Sequence, residues 1–122
     1  AHPNYKARMV AAGMDSTVAV LHAIKDTWRV LDNETARRVQ QMERELGEAA
    51  RHADFGDMVS GRHGRDWAYI AGDVDRGLVS MSSAVAHADC EEPAGDIVAK
   101  LAREMEVAWE GLAGRHACAV SK

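Results

Sequence analysis

Two carboxylates and an imidazole near the middle of the chain are the residues best spaced for chemistry. Glu45, Glu48 and His52 stand at i, i+3 and i+7, so a helix through them would place all three on one edge. Carboxylate oxygens and an imidazole nitrogen are suitable ligands for a hard or borderline divalent cation. The spacing therefore predicts a divalent-metal site, and a merely solvated, charged helix edge remains the alternative.

A family resemblance attaches to the same segment. Glu45-Leu-Gly-Glu48 resembles the first half of the motif of the all-α nucleoside triphosphate pyrophosphohydrolases. Proteins of that family are helical bundles that hold Mg²⁺ with Glu-x-x-Glu on one helix and Glu-x-x-Asp on the next, and they hydrolyse nucleotides to a monophosphate and pyrophosphate. The resemblance implies Asp73 as a further metal ligand, although Ile70 stands where the family has the second helix's acid.

Other chemistry-bearing residues are scattered. The six histidines include no Glu-x-x-His pair and no Cys-x-x-Cys-His motif. A helical bundle carrying haem or metal through His and Met side chains is nevertheless a third hypothesis, because clusters of histidines and carboxylates on facing helices build iron or haem sites in bundles. The Gly-rich stretch 55–64, with Arg62, His63 and Arg65 nearby, could contact an anion or be an ordinary loop. No phosphate-binding loop or dinucleotide fingerprint is present, and no catalytic residue is assigned.

Three tryptophans are the largest apolar side chains available. Trp28, Trp67 and Trp109 fall on three different predicted helices. We expect them to share the core or a dimer seam, and the alternative is that they line a pocket for a small-molecule ligand.

Apolar residues at helical spacing predict the elements that would position these side chains. The first stripe steps by three and four residues through Met14, Val18, Leu21, Ile24, Trp28 and Leu31. Similar stripes predict helices over about 5–31, 34–54, 66–88 and 93–113, with a loose tail over 115–122. The sequence thus predicts one all-α domain, 1–122, folded as a mostly antiparallel four-helix bundle with its longest loop between helices 2 and 3.

Composition limits the function classes. The chain has 122 residues, a formal net charge of −4 and 47% apolar residues. No basic block indicates nucleic-acid binding, and no apolar run approaches the roughly 18–20 residues that span a bilayer. The first residues lack the apolar stretch of a signal peptide, and we expect a cytoplasmic protein.

These observations predict a non-enzymatic binding or interaction module. Heptad-like seams on four helices favour a homodimer formed through helix faces. The alternative is a metal-dependent pyrophosphohydrolase-like enzyme using Glu45, Glu48 and Asp73. The residues do not identify a cofactor, and a divalent metal ion is the candidate.

Overall fold

The computed structural model describes the backbone of residues 1–119 and the side chains of residues 1–112. It contains five α-helices in this range, two β-strands, and several short 3-10 or π-helical turns. In chain order the main elements are α1 (Pro3–Val10), β1 (Thr17–Val20), β2 (Trp28–Leu31), α2 (Glu34–Leu46), α3 (His52–Phe55), α4 (Gly61–Gly64) and α5 (Ala94–Ala119). Contacts divide the chain into two compact units, residues 1–90 and residues from 91 onward.

The first predicted helix, 5–31, is wrong beyond α1. Helix α1 begins with Pro3 at its first turn and is capped by the His2 imidazole, which accepts a hydrogen bond from the backbone N–H of Asn4 at 3.1 Å. The helix ends at Val10. The residues that follow form an antiparallel hairpin in which Val18 pairs with Val30.

Both faces of the hairpin carry buried apolar residues, and this explains the misleading periodicity. Val30 belongs to one core cluster and its neighbour Leu31 to another, because successive strand residues point to opposite faces. A strand that is apolar on both faces has no polar alternation, so its residues can also fit a helical spacing. Leu21, with φ 64°, and Lys25, with φ 61°, have left-handed backbone that a helix cannot contain.

Residues 79–81 extend the hairpin into a third strand-like segment. Val30 and Ser80 form an antiparallel bridge. The backbone N–H of Leu31 donates to the carbonyl of Val79 at 2.9 Å, and that of Met81 donates to the carbonyl of Arg29 at 3.3 Å. The predicted helix over 66–88 is therefore wrong at its centre, which is extended and paired with β2.

Helix α2 is shorter than the predicted 34–54. The buried Asn33 caps its start by accepting a hydrogen bond from the N–H of Ala36 at 2.8 Å. The helix ends at Leu46, because Gly47 takes a φ of +54°. A 3-10 turn, Gly47–Ala49, and the one-turn helix α3 follow.

Two glycines bring α4 against the strand-like segment. Helix α4 continues into a π-helical turn, Arg65–Ala71, that ends at Gly72. A Cβ atom on Gly64 would lie 2.2 Å from the carbonyl oxygen of Leu78, and one on Gly77 would lie 2.7 Å from the Cα of Gly64. Backbone packs directly on backbone here, which fixes Leu78 and the strand-like segment that follows it relative to α4.

The core of the first unit has two clusters. The first, between the hairpin and α2, comprises Val20, Leu21, Val30, Ala36, Val39, Ala50, Phe55, Val59 and Leu78. The second comprises Leu31, Ala68, Val79, Met81 and Val85, with Tyr5, Met9 and Ala12 of the N-terminal segment packed on it.

Helix α5 occupies the place where the sequence predicts a helix over about 93–113. Leu101, expected in a bundle core, is 59% exposed. The predicted tail 115–122 lies partly within α5, and residues 120–122 lie outside the described residues. Within the described part of the chain, no helix is both long and apolar enough to cross a membrane. The all-α four-helix bundle is thus wrong, and the homodimer, which depended on the seams of such a bundle, is not supported.

Candidate functional site

An aromatic cavity of about 410 Å³ lies in the first unit. Its walls come from α1, the start of β2, α4 with the π-helical turn, and the strand-like segment. The lining residues are Tyr5, Trp28, Gly61, Gly64, Arg65, Tyr69, Leu78, Val79 and Ser80. We call this space the aromatic cavity.

The hairpin holds one wall of the aromatic cavity in place. Trp28 is the first residue of β2 and lies opposite Val20 in the strand register. Its indole N–H donates a hydrogen bond to the hydroxyl of Ser80. Because Ser80 lies in the strand-like segment beside β2, this bond joins the side chains of two neighbouring strands at the cavity wall.

Two tyrosines form a second part of the wall. The rings of Tyr5 and Tyr69 meet edge to face, with centroids 5.3 Å apart and an interplanar angle of 70°. Burial raises the pKa of Tyr5 above its ordinary value, and the nearby Tyr69 raises it further. The Tyr5 phenol therefore stays protonated at neutral pH and can donate a hydrogen bond.

Arg65 supplies the positive charge at the aromatic cavity. It lies four residues before Tyr69 on the π-helical turn, and both line the cavity. Among the described side chains of residues 1–112, Arg65 has no carboxylate within 4.0 Å. An apolar ligand carrying a carbonyl or an anionic group suits this combination of rings and guanidinium.

A second cavity of about 500 Å³ lies between the hairpin loop and the segment after α2. The carboxylate of Glu43 holds the loop by accepting hydrogen bonds from the N–H groups of Leu21 at 2.8 Å and Ala23 at 2.9 Å. Glu48 and His52 are among the residues lining this cavity.

The predicted metal ligands do not share one helix edge. Glu45 lies on α2, where its carboxylate accepts a hydrogen bond from Gln41 at 2.7 Å. Gly47 ends the helix before Glu48, and Asp73 follows the π-helical turn. In the residues whose side chains are described, no group of three or more His, Cys, Asp or Glu could hold a metal ion. Metal binding by Glu45, Glu48, His52 and Asp73 stays a prediction.

The three tryptophans have different environments. Trp28 lines the aromatic cavity. The guanidinium of Arg76 stacks 3.4 Å from the centre of the Trp67 ring, and the His63 ring lies 6.3 Å from it. Trp109 is 73% exposed on α5. Of the three tryptophans, Trp28 lines the aromatic cavity. Ligand binding by Trp28, Trp67 and Trp109 stays a prediction.

Sequence reasoning missed most of the aromatic cavity. In the sequence, Tyr5 continues the face of the first apolar stripe upstream of Met14, Tyr69 fits no stripe, and Ser80 carries no signal. The sequence indicates Arg65 as a candidate anion contact, because it follows the Gly-rich stretch. The cavity joins residues 5, 28, 65 and 80, and no local motif connects positions so far apart.

Comparison with solved structures gives a likeness to FabK. No family model matches the chain. The structure of FabK from Thermotoga maritima is 27% identical in sequence and superimposes with a TM-score of 0.77 over 93% of this chain. The structure of its M276A mutant is 26% identical, with a TM-score of 0.69 over the same share. The match covers 34% and 31% of those chains, so this chain spans about a third of the FabK chain.

The comparison corrects the functional predictions. A chain that superimposes on part of FabK is not a free-standing four-helix bundle, so the non-enzymatic bundle module and the haem- or metal-carrying bundle lose their scaffold. The pyrophosphohydrolase alternative is not supported either, because its two acidic pairs require neighbouring helices that this fold lacks. Over nearly its whole length, the chain is similar to one third of FabK.

Proposed function

We propose that this chain forms about one third of an enzyme of the FabK type, an enoyl-ACP reductase, and contributes a wall of its substrate cavity. The observation that carries the proposal is the TM-score of 0.77 at 27% identity over 93% of the chain. The aromatic cavity, formed by residues from four separate parts of that matched fold, supplies the candidate site.

The chemistry of the cavity suits an enoyl thioester. Such a substrate has an apolar acyl chain next to a polarised carbonyl group. Trp28, Tyr69 and Val79 offer apolar surface for the chain, and the protonated Tyr5 phenol or the Arg65 guanidinium can donate a hydrogen bond to the carbonyl oxygen. A donor aimed at that oxygen stabilises the negative charge that develops when a hydride adds to the conjugated double bond.

The proposal assigns only part of the reaction to this chain. Saturating the double bond takes a hydride and a proton, and hence a two-electron donor. Binding of that donor is left to the two thirds of a FabK-type enzyme that this chain does not represent. The residues of this chain would orient the acyl thioester and exclude water from it.

The test is a chimera in which this chain replaces the matching third of Thermotoga maritima FabK. We expect the chimera to convert an enoyl thioester to the saturated thioester with a reduced nicotinamide nucleotide as donor, measured by mass spectrometry of the product. Trp28→Ala should lower kcat/KM about tenfold, which corresponds to roughly 1.4 kcal/mol of lost transition-state stabilisation.

Trp67→Ala is the matched control, because it removes an indole that lies outside the aromatic cavity. It should leave kcat/KM near that of the unaltered chimera. A folded chimera without reductase activity would contradict the proposal. Equal losses at Trp28 and Trp67 would contradict the role of the cavity.

A further inference from the structure

Gly61 lines the aromatic cavity at a position where the fold does not require a glycine. It is the first residue of α4, after Ser60 at the N-cap, and it does not have the positive φ that favours glycine elsewhere in the chain. A Cβ atom on Gly61 would meet no described atom within 4 Å. Neither backbone conformation nor packing therefore explains this residue, although glycine is among the least favourable residues in a helix.

Gly64, in the same helix, is explained by packing. A Cβ atom there would lie 2.2 Å from the carbonyl oxygen of Leu78. The two glycines thus line one cavity for different reasons. Gly64 lets backbone pack on backbone, whereas the missing side chain of Gly61 leaves open space.

The open space beside Gly61 lies on the side of the helix that faces the aromatic cavity. At about 100° per residue, position 61 falls between positions 64 and 65 around the helix axis, one turn earlier. Gly64 and Arg65 both line the cavity. A side chain added at position 61 would therefore occupy part of the cavity.

Tyr69 lies at the other end of this helix face. It lines the cavity about two helical turns after Gly61, which separates the two residues by roughly 10 Å along the axis. Its ring meets that of Tyr5, whose phenol can donate a hydrogen bond. A thioester whose carbonyl accepts that hydrogen bond would reach Gly61 only with a long acyl chain.

We propose that Gly61 sets the length of the acyl chain that the aromatic cavity admits. This inference rests on the proposed function, and it places the thioester carbonyl at Tyr5 and the end of a long acyl chain beside Gly61. A larger side chain at position 61 fills the space of the last methylene groups, each of which contributes up to about fourfold to affinity when it is buried. Short acyl chains do not extend that far, so they are affected less.

The test compares a short and a long enoyl thioester. Isothermal titration calorimetry of this chain measures the Kd of the trans-2-butenoyl and trans-2-decenoyl thioesters of N-acetylcysteamine. We expect Gly61→Leu to weaken decenoyl binding about tenfold more than butenoyl binding, and Gly61→Ala to cause a smaller loss in the same direction. In the FabK chimera, the ratio of kcat/KM for the decenoyl to that for the butenoyl thioester should fall by a similar factor.

Gly13→Leu is the matched control. Gly13 also lacks a positive φ, and a Cβ atom there would meet no described atom within 4 Å, but it lies outside the aromatic cavity. This variant should leave the ratio of the two dissociation constants unchanged. Circular dichroism shows whether each variant is folded. Gly61→Ala adds a single methyl group, so it keeps the inference testable if Gly61→Leu does not fold.

An unchanged ratio of dissociation constants in Gly61→Leu would overturn the inference, whether both thioesters lose affinity equally or neither does. A chain that binds neither thioester would overturn it as well. The proposed function fails separately. A folded chimera that reduces neither thioester contradicts the function, whereas a selective loss of decenoyl binding by the chain would still support the role of Gly61.

Discussion

Asn33 and Gly77 are joined by a buried hydrogen bond, in which the Asn33 side-chain amide donates to the Gly77 carbonyl at 2.9 Å. The same amide donates to the Val74 carbonyl at 2.8 Å, and the side-chain oxygen caps α2. One side chain thus ties the start of α2 to the turn that precedes Leu78–Ser80. It fixes the strand-like segment that forms a wall of the aromatic cavity.

Replacing Asn33 should be costly for this reason. Asn33→Ala removes the helix cap and leaves two carbonyls without their partner, and we expect a loss of about 2–4 kcal/mol in the free energy of unfolding. Urea denaturation followed by circular dichroism measures it. Asn4→Ala is the control, since Asn4 is exposed and its one bond to the Gly72 carbonyl is 3.3 Å long. Equal losses in the free energy of unfolding at both positions would contradict the stabilising role of the Asn33 hydrogen bonds.

Gly64 and Gly61 should respond in opposite directions to alanine. Both lie in α4, where alanine is favoured by up to about 1 kcal/mol over glycine. A Cβ on Gly64 would lie 2.2 Å from the Leu78 carbonyl oxygen, whereas one on Gly61 meets nothing within 4 Å. We expect Gly64→Ala to destabilise by about 1–3 kcal/mol through overpacking, and Gly61→Ala to be neutral or slightly stabilising. Thermal unfolding of the two variants decides the matter, and a stable Gly64→Ala protein would mean that the backbone contact can relax.

The hairpin loop should loosen when Glu43 is removed. Its carboxylate accepts the N–H groups of Leu21 and Ala23 next to left-handed backbone at Leu21. Glu43→Ala should destabilise the protein by about 1.5–3 kcal/mol, the range for a hydrogen bond to a charged group. Amide hydrogen exchange at Leu21 and Ala23 should accelerate. In the control Glu45→Ala, exchange at both amides should stay slow, and rapid exchange there already in the unaltered protein would contradict the role of Glu43.

The raised pKa of Tyr5 predicts that the folded protein loses stability at alkaline pH. Its pKa is raised in the folded protein by burial and by Tyr69, so the unfolded chain loses the phenolic proton first as pH rises. The resulting stabilisation is complete below the ordinary pKa of 10.0 and disappears as pH rises through the higher folded value. The unfolding temperature of Tyr5→Phe should therefore fall less steeply above about pH 10 than that of the unaltered protein.

Tyr69→Phe separates the two causes of this shift. It removes the charge of the neighbouring phenolate and leaves most of the burial, so the pKa of Tyr5 should fall only part of the way towards its ordinary value. Phenolate absorbance during an alkaline titration measures this. A Tyr5 that titrates like a free tyrosine in the unaltered protein would contradict both predictions.

The failure of the bundle prediction can be traced to particular residues. Val18, Leu21, Trp28 and Leu31 have helical spacing, but Val30 and Leu31 pack into different clusters on the two faces of a strand. Periodicity does not distinguish a short strand buried on both sides from a helix. The left-handed backbone at Leu21 and Lys25, which excludes a helix, occurs at residue types that carry no signal for it.

The residues predicted to share a metal site are separated for a related reason, and their metal binding stays a prediction. Glu45 and Glu48 share an edge only if one helix contains both, and Gly47 ends α2 between them. Trp28, a predicted ligand contact, lines a cavity, and its partners there, Tyr5, Arg65 and Ser80, come from distant parts of the chain. Such partners become neighbours only through tertiary packing.

The sequence by itself determined the local features whose causes are local. These include the helix cap at Asn33 before α2 and the helix that follows Pro93, because capping residues and helical periodicity act over a few positions. Tertiary structure alone decided that 17–31 is a hairpin and that Gly64 lies against Leu78. It also decided that Tyr5, Trp28 and Ser80 surround one cavity. These outcomes depend on long-range burial and backbone contact, whose free energy exceeds the small local preferences of the residues involved.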